Sequence, residues 1–293
     1  GLPTEGETDS QRILDNLVSA APRNLRLFAF GVGYDVETFL LDSLAQDHHG
    51  ASTYIQPGEQ LDEILSAFYA KISTPVLTDL ALNFGKLATY DIYPSPLPDL
   101  FAGSQIIVVG RYRTGGTVTV TLTGTVNSQT QTFTFPNQTF AQRSQSTDYQ
   151  STIPRLWATR KIGHLLNRVR LNGPDQETID QIVKLSIRYG IVTPYTSYLV
   201  TEDMPLGAAE QQRIANEQYS QMATAPAAPA FGATAVQKAS DQGALAGAES
   251  AAAPSAEAAD RVKIVGARTF VLSEGVWVDT AFDPDTMQTT KVA

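Results

Sequence analysis

The spacing of the hydrophobic residues changes near residue 76, and this change constrains the fold more than any other feature of the sequence. Residues 1–75 alternate between helical spacing, as in DSQRILDNLV, and short apolar runs such as LRLFAFGVG. A short apolar run closed by glycine is typical of a parallel strand that is covered on both faces. The order helix, strand, helix, strand, helix therefore predicts a layered α/β fold over residues 1–75. The candidate N-caps are Asp9 or Ser10 for the first helix and Asp35 for the second.

Residues 76–153 are predicted to form a segment of an antiparallel β-sandwich. In GTVTVTLTGTV the apolar residues Val118, Val120 and Leu122 alternate with threonines. Strict alternation indicates a strand with one buried face and one face in water. Further strands are indicated by VLTDLALNF, ATYDIYP, SQIIVVGRYR and TQTFTF, and the proline-rich PSPLPDLFAG is predicted to connect strands.

The remainder of the chain returns to helical spacing and then to strands. Residues 154–203 predict a helical pair, with Asp175 as the N-cap of the second helix, followed by an extended segment that returns to the sandwich. The residues that the spacing places on the matched inner faces of the pair are Ala158, Ile162, Leu165, Leu166, Val169, Ile179, Ile182, Val183 and Ile187. Residues 204–260 predict a weak helix and an Ala/Pro-rich linker, because small residues bury little surface. Residues 261–293 predict a C-terminal β-hairpin around SEG, anchored on another surface by Phe270 and Trp277.

Composition limits the classes of partner. The chain has 293 residues, a net charge of −9 and a pI of about 4.8. This acidity argues against general binding to nucleic acids, which requires a basic face, and against docking on anionic lipid. The absence of cysteine excludes disulfides and thiolate metal sites, and no apolar run approaches the length of a membrane span.

The sequence offers few candidates for catalysis. His48 and His49 are adjacent in a loop without a third ligand nearby, which favours a solvated loop over a metal pair. Neither a G-x-S-x-G elbow, nor a phosphate-binding loop, nor a dinucleotide fingerprint occurs. The sequence therefore predicts a protein that is not an enzyme, with no catalytic, cofactor-binding or metal-ligating residue in this chain.

One helical segment carries an unusual concentration of positive charge. A candidate anion-binding patch consists of Arg155, Arg160, Lys161, Arg168 and Arg170. In an acidic protein such a patch could bind a polyanion or an acidic partner. The favoured alternative is that these long side chains cover the sandwich and pair with its acidic residues.

Several stretches together carry a resemblance to a known family. They are, in order, GLPTEGETD, LFAFGVGYDVETFLLDSLA, YIQPGEQLDEILSAFYAKISTPVLTDL, YPSPLPDLFAGSQIIVVGRYR, IPRLWATRKIGHLL and YGIVTPYTSYLV. This series resembles the bacterial relatives of inter-alpha-trypsin inhibitor heavy chains, in which a VIT domain precedes a von Willebrand factor type A domain. The resemblance extends from Gly1 to about Glu202, with a weaker match in TFVLSEGVWVDT.

The resemblance implies that residues 1–75 are the C-terminal half of a type A domain, which is Rossmann-like and doubly wound. In the family, the metal-ion-dependent adhesion site takes an Asp directly before GLPT, a D-x-S-x-S loop and a Thr, all upstream of this chain. Gly1, Leu2, Pro3 and Thr4 would then border the site without ligating the metal. Mg²⁺ or another divalent ion is expected only in the complete precursor.

The same resemblance implies an incomplete sheet. Strand 25–32 would lack a neighbour, so that the upstream half of the precursor, after proteolysis, or another chain is expected to complete it. The implied function is a non-enzymatic, adhesion-type module that binds a protein or matrix ligand in an extracellular, periplasmic or cell-surface location. The alternative is a structural subunit of a larger surface assembly, held by other polypeptides.

Overall fold

The computed structural model describes residues 1–22, 25–72, 75–142, 152–196, 207–224, 230–251, 258–266, 268–273, 275–284 and 286–288. Two compact units are formed, one by Gly1–Arg143 with Ala228–Gly243 and the other by Ser144–Ala227 with Ala244–Ala293. The helices are α1 (Ser10–Ala20), α2 (Thr38–Asp47), α3 (Leu61–Ile72), α4 (Ile153–Asn172), α5 (Gln176–Tyr189), α6 (Ala208–Thr224) and α7 (Ala233–Ala246). The strands are β1 (Ala29–Val32), β2 (Ser52–Ile55), β3 (Pro75–Asn83), β4 (Thr89–Tyr93), β5 (Leu100–Phe101), β6 (Val109–Tyr112), β7 (Gly116–Val126), β8 (Gln129–Phe140), β9 (Val262–Val265), β10 (Arg268–Ser273) and β11 (Val276–Asp279).

The first unit begins with an α/β layer in which β1 and β2 pair in parallel. Of the two candidate caps of α1, Asp9 is the N-cap, since its carboxylate accepts the Arg12 amide at 2.9 Å, and Ser10 is the first residue of the helix. The predicted cap of α2 was wrong, because α2 begins at Thr38 after Glu37 rather than near Asp35. The mixed α/β content agrees with the sequence, while two parallel strands do not by themselves establish a doubly wound sheet.

The same unit contains two antiparallel sheets, with strand orders β5-β3-β7-β8 and β4-β6. The β7–β8 hairpin turns at Asn127 and Ser128, which both have positive φ, as a two-residue hairpin turn requires. Phe140 at the end of β8 contacts the rings of Phe84 and Tyr112, so it links the two sheets. The buried face predicted for β7 is corrected, because its apolar side chains are only half-buried; β8 beside it is exposed along almost its whole length.

The core of the second unit lies between α4 and α5. The residues that the sequence spacing placed on the inner faces are all buried, namely Ala158, Ile162, Leu165, Leu166, Val169, Ile179, Ile182, Val183 and Ile187. Asp175 caps α5 as predicted, with its Oδ1 accepting the Thr178 amide at 2.9 Å. Of the expected returning strand, residues 191–196 contain a turn, and Ser197–Val200 lie outside the described residues.

In the C-terminal part, the linker prediction is corrected, and the predicted hairpin is confirmed with one additional strand. The expected linker contains α7, in which Val236 and Ala239 are buried, so its small residues do pack. The expected hairpin around SEG is part of a three-stranded antiparallel sheet with the order β11-β10-β9. Its buried residues include Val262 and Val271, whereas Phe270 and Trp277 are half-buried. No helix within the described ranges is both long and apolar enough to span a bilayer.

Candidate binding site at the carboxyl edge of the α/β layer

The loops that follow β1 and β2 lie at one edge of the α/β layer, because parallel strands end on the same side. The N-terminal loop meets this edge: a Cβ at Gly1 would lie 3.6 Å from the carbonyl oxygen of Asp35, in the loop after β1. Ser10 at the start of α1 donates to the Glu37 carboxylate at 2.5 Å. Ligands of open α/β sheets bind outside the carboxyl ends of the strands, which makes this edge the candidate binding site.

The N-terminal residues at this edge do not themselves form a metal site. Leu2 and Thr4 are exposed and Pro3 is half-buried. The Asp9 carboxylate caps α1, and Glu7 accepts the Asp9 amide at 3.0 Å. Within the described part of the chain, no three His, Asp or Glu side chains group as metal ligands. These residues alone therefore do not fit a divalent ion, and the expectation that Gly1–Thr4 border a metal site stays a prediction.

A segment from far along the chain closes this edge. The Ala230 carbonyl accepts hydrogen bonds from both the amide and the hydroxyl of Thr38, at 2.8 and 3.0 Å. The Gly232 amide donates to the Tyr34 carbonyl at 2.9 Å. The sequence analysis did not predict these contacts, because the Ala-rich stretch was predicted to be a linker. The spacing of Val236 and Ala239 after a glycine was the sequence feature that could have indicated a packed helix.

A buried carboxylate fastens α2 to β2 beneath the edge. Asp42 is buried and accepts hydrogen bonds from the hydroxyls of Ser52 and Tyr54, the latter at 2.7 Å. The Tyr54 hydroxyl also lies 3.1 Å from the Thr38 carbonyl oxygen, in the first turn of α2. These contacts hold the start of α2 against the sheet, and they position the loop that precedes it.

The two lateral sides of β1 differ in their backbone hydrogen bonds. The amides of Leu27, Ala29 and Gly33 donate to carbonyls on the β2 side, at 2.9–3.1 Å. Because alternate residues of a strand direct their amides to opposite sides, Phe28 and Phe30 direct theirs away from β2. Among the described residues β2 is the only strand paired with β1.

One face of β1 is covered by α3. The rings of Phe28 and Phe30 contact Phe68 edge-to-face, with centroid distances of 5.1 and 4.8 Å. Both phenylalanines remain half-buried. The cover is therefore incomplete, and α3 also carries exposed apolar residues, namely Leu61, Leu65 and Tyr69.

The structure does not bring the five candidate anion-binding cations together on one exposed face. Arg155 and Arg160 are buried, and they donate to the carbonyls of Tyr189 and Ala248, the latter at 2.6 Å. Desolvation lowers the pKa of both guanidinium groups, although arginine remains charged at neutral pH. These two side chains therefore anchor backbone segments of their own unit.

The other three cations have separate contacts. The Lys161 ammonium lies 5.5 Å from the centroid of the Trp157 ring. Arg168 forms an ion pair with Asp175 at 3.4 Å, and Arg170 donates to the Asn167 side chain at 3.3 Å. The Arg168 contact pairs a cation with an acidic residue, which is the arrangement that the favoured alternative expected.

Comparison with known proteins gives similarity over most of this chain. The inter-alpha-trypsin inhibitor heavy chain H4 of Homo sapiens is 31% identical over 211 residues, which cover 69% of this chain and 23% of that protein. Heavy chain H3 of Rattus norvegicus is 29% identical over 225 residues, with coverages of 74% and 25%, and heavy chain H2 of Sus scrofa is 27% identical over 215 residues, with coverages of 69% and 23%. The match thus spans about a quarter of the length of these relatives. No family profile matches the chain.

Proposed function

Because this chain is a VIT/von Willebrand factor type A relative of the inter-alpha-trypsin inhibitor heavy chains, we propose that it is a non-enzymatic protein-binding module of the adhesion type. The observation that carries the proposal is the lateral edge of β1, which no strand of the described residues pairs, beside the exposed apolar residues of α3. This combination fits the addition of a further polypeptide segment to the α/β layer. The proposed partner is the upstream half of the same precursor, or another chain that supplies the same strand.

The backbone of β1 is suited to accept a strand. The amides of Phe28 and Phe30 point away from β2, and no described strand lies on that side. Parallel sheets normally have both faces covered and their inner strands paired on both sides. A free edge of this kind is a template for pairing with another strand.

The apolar residues of α3 extend the proposed contact beyond the backbone. Leu61, Leu65 and Tyr69 are spaced by four residues, so they share one face of the helix, and Tyr69 is 71% exposed. We call these three residues the α3 stripe. Burying a side chain of leucine size contributes about 1.5–3 kcal/mol. Covering the α3 stripe together with the half-buried Phe28 and Phe30 would therefore contribute a free energy that is a large part of a domain's stability. A typical domain has a free energy of unfolding of about 5–15 kcal/mol.

The proposed module would act outside the cytoplasm, in an extracellular, periplasmic or cell-surface location, where it binds a protein or matrix ligand. Any dependence on Mg²⁺ or another divalent ion would come from ligands upstream, since the described residues do not fit such a site. A second candidate function is a structural subunit of a larger surface assembly. The exposed strand β8, with Phe133 and Phe135 at its surface, favours this candidate because it offers a further apolar contact.

The test compares amide hydrogen exchange in this chain alone and in the presence of the polypeptide encoded directly upstream. We expect the amides of Phe28 and Phe30 to exchange at least about tenfold more slowly in the complex, because each gains a backbone hydrogen bond. The amide of Ala29, which already bonds to β2, serves as the internal reference. Equal protection of Phe28 and Ala29 in the chain alone would contradict the proposal.

A matched pair of variants tests the α3 stripe. Leu65→Glu places a charge in the proposed contact and should lower the affinity for the upstream polypeptide by about tenfold or more. Val265→Glu introduces the same charge at a residue that is 63% exposed in the other unit, and it should leave the affinity unchanged. Equal affinities of the two variants would remove the stripe from the proposed interface.

A further inference from the structure

Residues 230–243, here called the strap, bind across the carboxyl edge of the α/β layer within the first unit. We infer that this edge is a peptide-binding surface, and that the strap is its ligand, supplied by the chain itself. The inference rests on the proposed function of the α/β layer as a binding module and identifies the kind of peptide that it accepts. Such a peptide presents a backbone carbonyl at the position of Ala230, then a glycine turn, and then a helix with small apolar residues on one face.

Backbone recognition begins at the start of α2. The first amides of a helix have no partner within the helix, and a side chain of the N-cap residue commonly accepts one of them. Glu37 makes no such bond, and its carboxylate accepts the Ser10 hydroxyl instead. The Ala230 carbonyl takes this role, since it accepts both donors of Thr38 from 192 residues away. The edge therefore selects a peptide carbonyl at this position.

The glycine of the strap is required by the conformation that it adopts. Gly232 has a φ of +93°, where L residues other than glycine are strained. In this conformation its amide donates to the Tyr34 carbonyl in the loop after β1, at 2.9 Å. The turn also precedes α7 directly, so it sets the point at which the bound segment becomes helical.

Side chains of α7 complete the recognition. Val236 is fully buried and Ala239, three residues later on the same helical face, is 3% exposed. The Gln237 side chain accepts a hydrogen bond at 2.9 Å from Gln56, which directly follows β2. The strap thus contacts the segments after both parallel strands, which is where ligands of open α/β sheets bind.

The experiment separates the strap from its surface without truncating the protein. In the full chain, Val236→Asp places a charge at a fully buried position of α7 and should release the strap. The amides of Thr38 and Gly232 report the release directly, because each bonds across the contact. We expect both amides to exchange at least about tenfold faster than in the unmodified chain. Thr234→Asp, at an exposed position of the same helix, adds the same charge and should leave both rates unchanged.

Addition of a synthetic peptide with the sequence of residues 230–243 then tests binding in trans. The peptide should restore slow exchange of Thr38 in the Val236→Asp chain, and the same peptide carrying Val236→Asp should not. Unchanged exchange in the Val236→Asp chain, or equal effects of the two peptides, would overturn the inference.

If Val236→Asp prevents folding, Thr38→Val provides the test, since it removes only the hydroxyl bond to Ala230. It should accelerate exchange of Gly232 by about threefold or more, and an unchanged rate would overturn the inference. This outcome does not depend on the proposed strand addition, because strand addition is measured by the amide exchange of Phe28 and Phe30 on the lateral edge of β1. The two ideas can therefore fail separately.

Discussion

The Nε atom of Arg26 lies 2.6 Å from Oδ2 of Asp99, 73 residues further along the chain. The same guanidinium group also contacts Asp79 at 2.6 Å. The side chains of Arg26 and Asp99 are only 17% and 7% exposed, and the bond to Asp99 raises the pKa of Arg26 despite its burial. This ion pair links the residues before β1 to the antiparallel part of the same unit.

We expect Asp99→Asn to destabilise the first unit by about 1.5–3 kcal/mol, the usual contribution of a hydrogen bond to a charged group. The reason is that Arg26 would lose the more buried of its two acidic partners. Amide exchange in β1 and β3 measures the free energy of opening. Asp79→Asn is the matched control and should cost less than about 1 kcal/mol, because Asp79 is 58% exposed. A larger effect at Asp79 would contradict this ranking.

The contact between α4 and the end of α7 predicts opposite effects for two Gly→Ala substitutions. A Cβ at Gly163 would overlap the backbone of Leu245 and Ala246, and overpacking of this kind costs about 1–3 kcal/mol. A Cβ at Gly243 would meet no atom within 4 Å, so alanine there should stabilise α7 by up to about 1 kcal/mol through helix propensity. Thermal unfolding of the two variants should shift in opposite directions.

The N-cap of α5 predicts a loss of stability on truncation of Asp175. Asp175→Ala removes the acceptor for the Thr178 amide, and a lost cap costs about 1 kcal/mol. Asp175→Asn retains an acceptor and should cost clearly less. The free energy of unfolding from urea denaturation, followed by the fluorescence of Trp157, measures both effects. Equal stabilities of the two variants would show that the capping bond is not what stabilises α5.

The same carboxylate predicts a dependence on pH. The Thr178 hydroxyl and amide, and then Arg168, lower the pKa of Asp175 below its usual value of 3.8. The folded state therefore binds a proton less readily than the unfolded state, so that the contribution is complete above about pH 4 and is lost as the pH falls through the folded pKa. Unfolding measured across this range should show a weaker pH dependence in Asp175→Asn than in the unmodified chain.

The hydrogen bonds to Asp42 predict the effect of removing one hydroxyl. Tyr54→Phe deletes a donor to a buried carboxylate, and the expected cost is about 1.5–3 kcal/mol. Exchange of the α2 amides should accelerate, because this bond holds α2 against β2. Tyr69→Phe, at an exposed residue of α3, is the control and should leave these rates unchanged.

Sequence patterns predicted elements whose residues interact locally. The helical spacing of Ile162, Leu166 and Ile179 identified the core of the second unit. Asp175 was recognised as a cap, and Asp9 as one of two candidates, because a cap bonds to a residue three positions away. Asp35 was wrongly assigned as a cap, because α2 takes its acceptor from Ala230, far away in the sequence. Local patterns hold no information about such a partner.

The sequence by itself determined the alternation of helices and strands in residues 1–75, the antiparallel strands that follow and the buried faces of α4 and α5, because each depends on side-chain periodicity over a few turns or strands. Only the tertiary structure decided that residues 230–243 bind the carboxyl edge and that β9 joins the predicted hairpin. It also decided that Arg155 and Arg160 are buried against carbonyl groups. These outcomes depend on which distant backbone groups come within hydrogen-bonding distance, and spacing along the chain does not specify that.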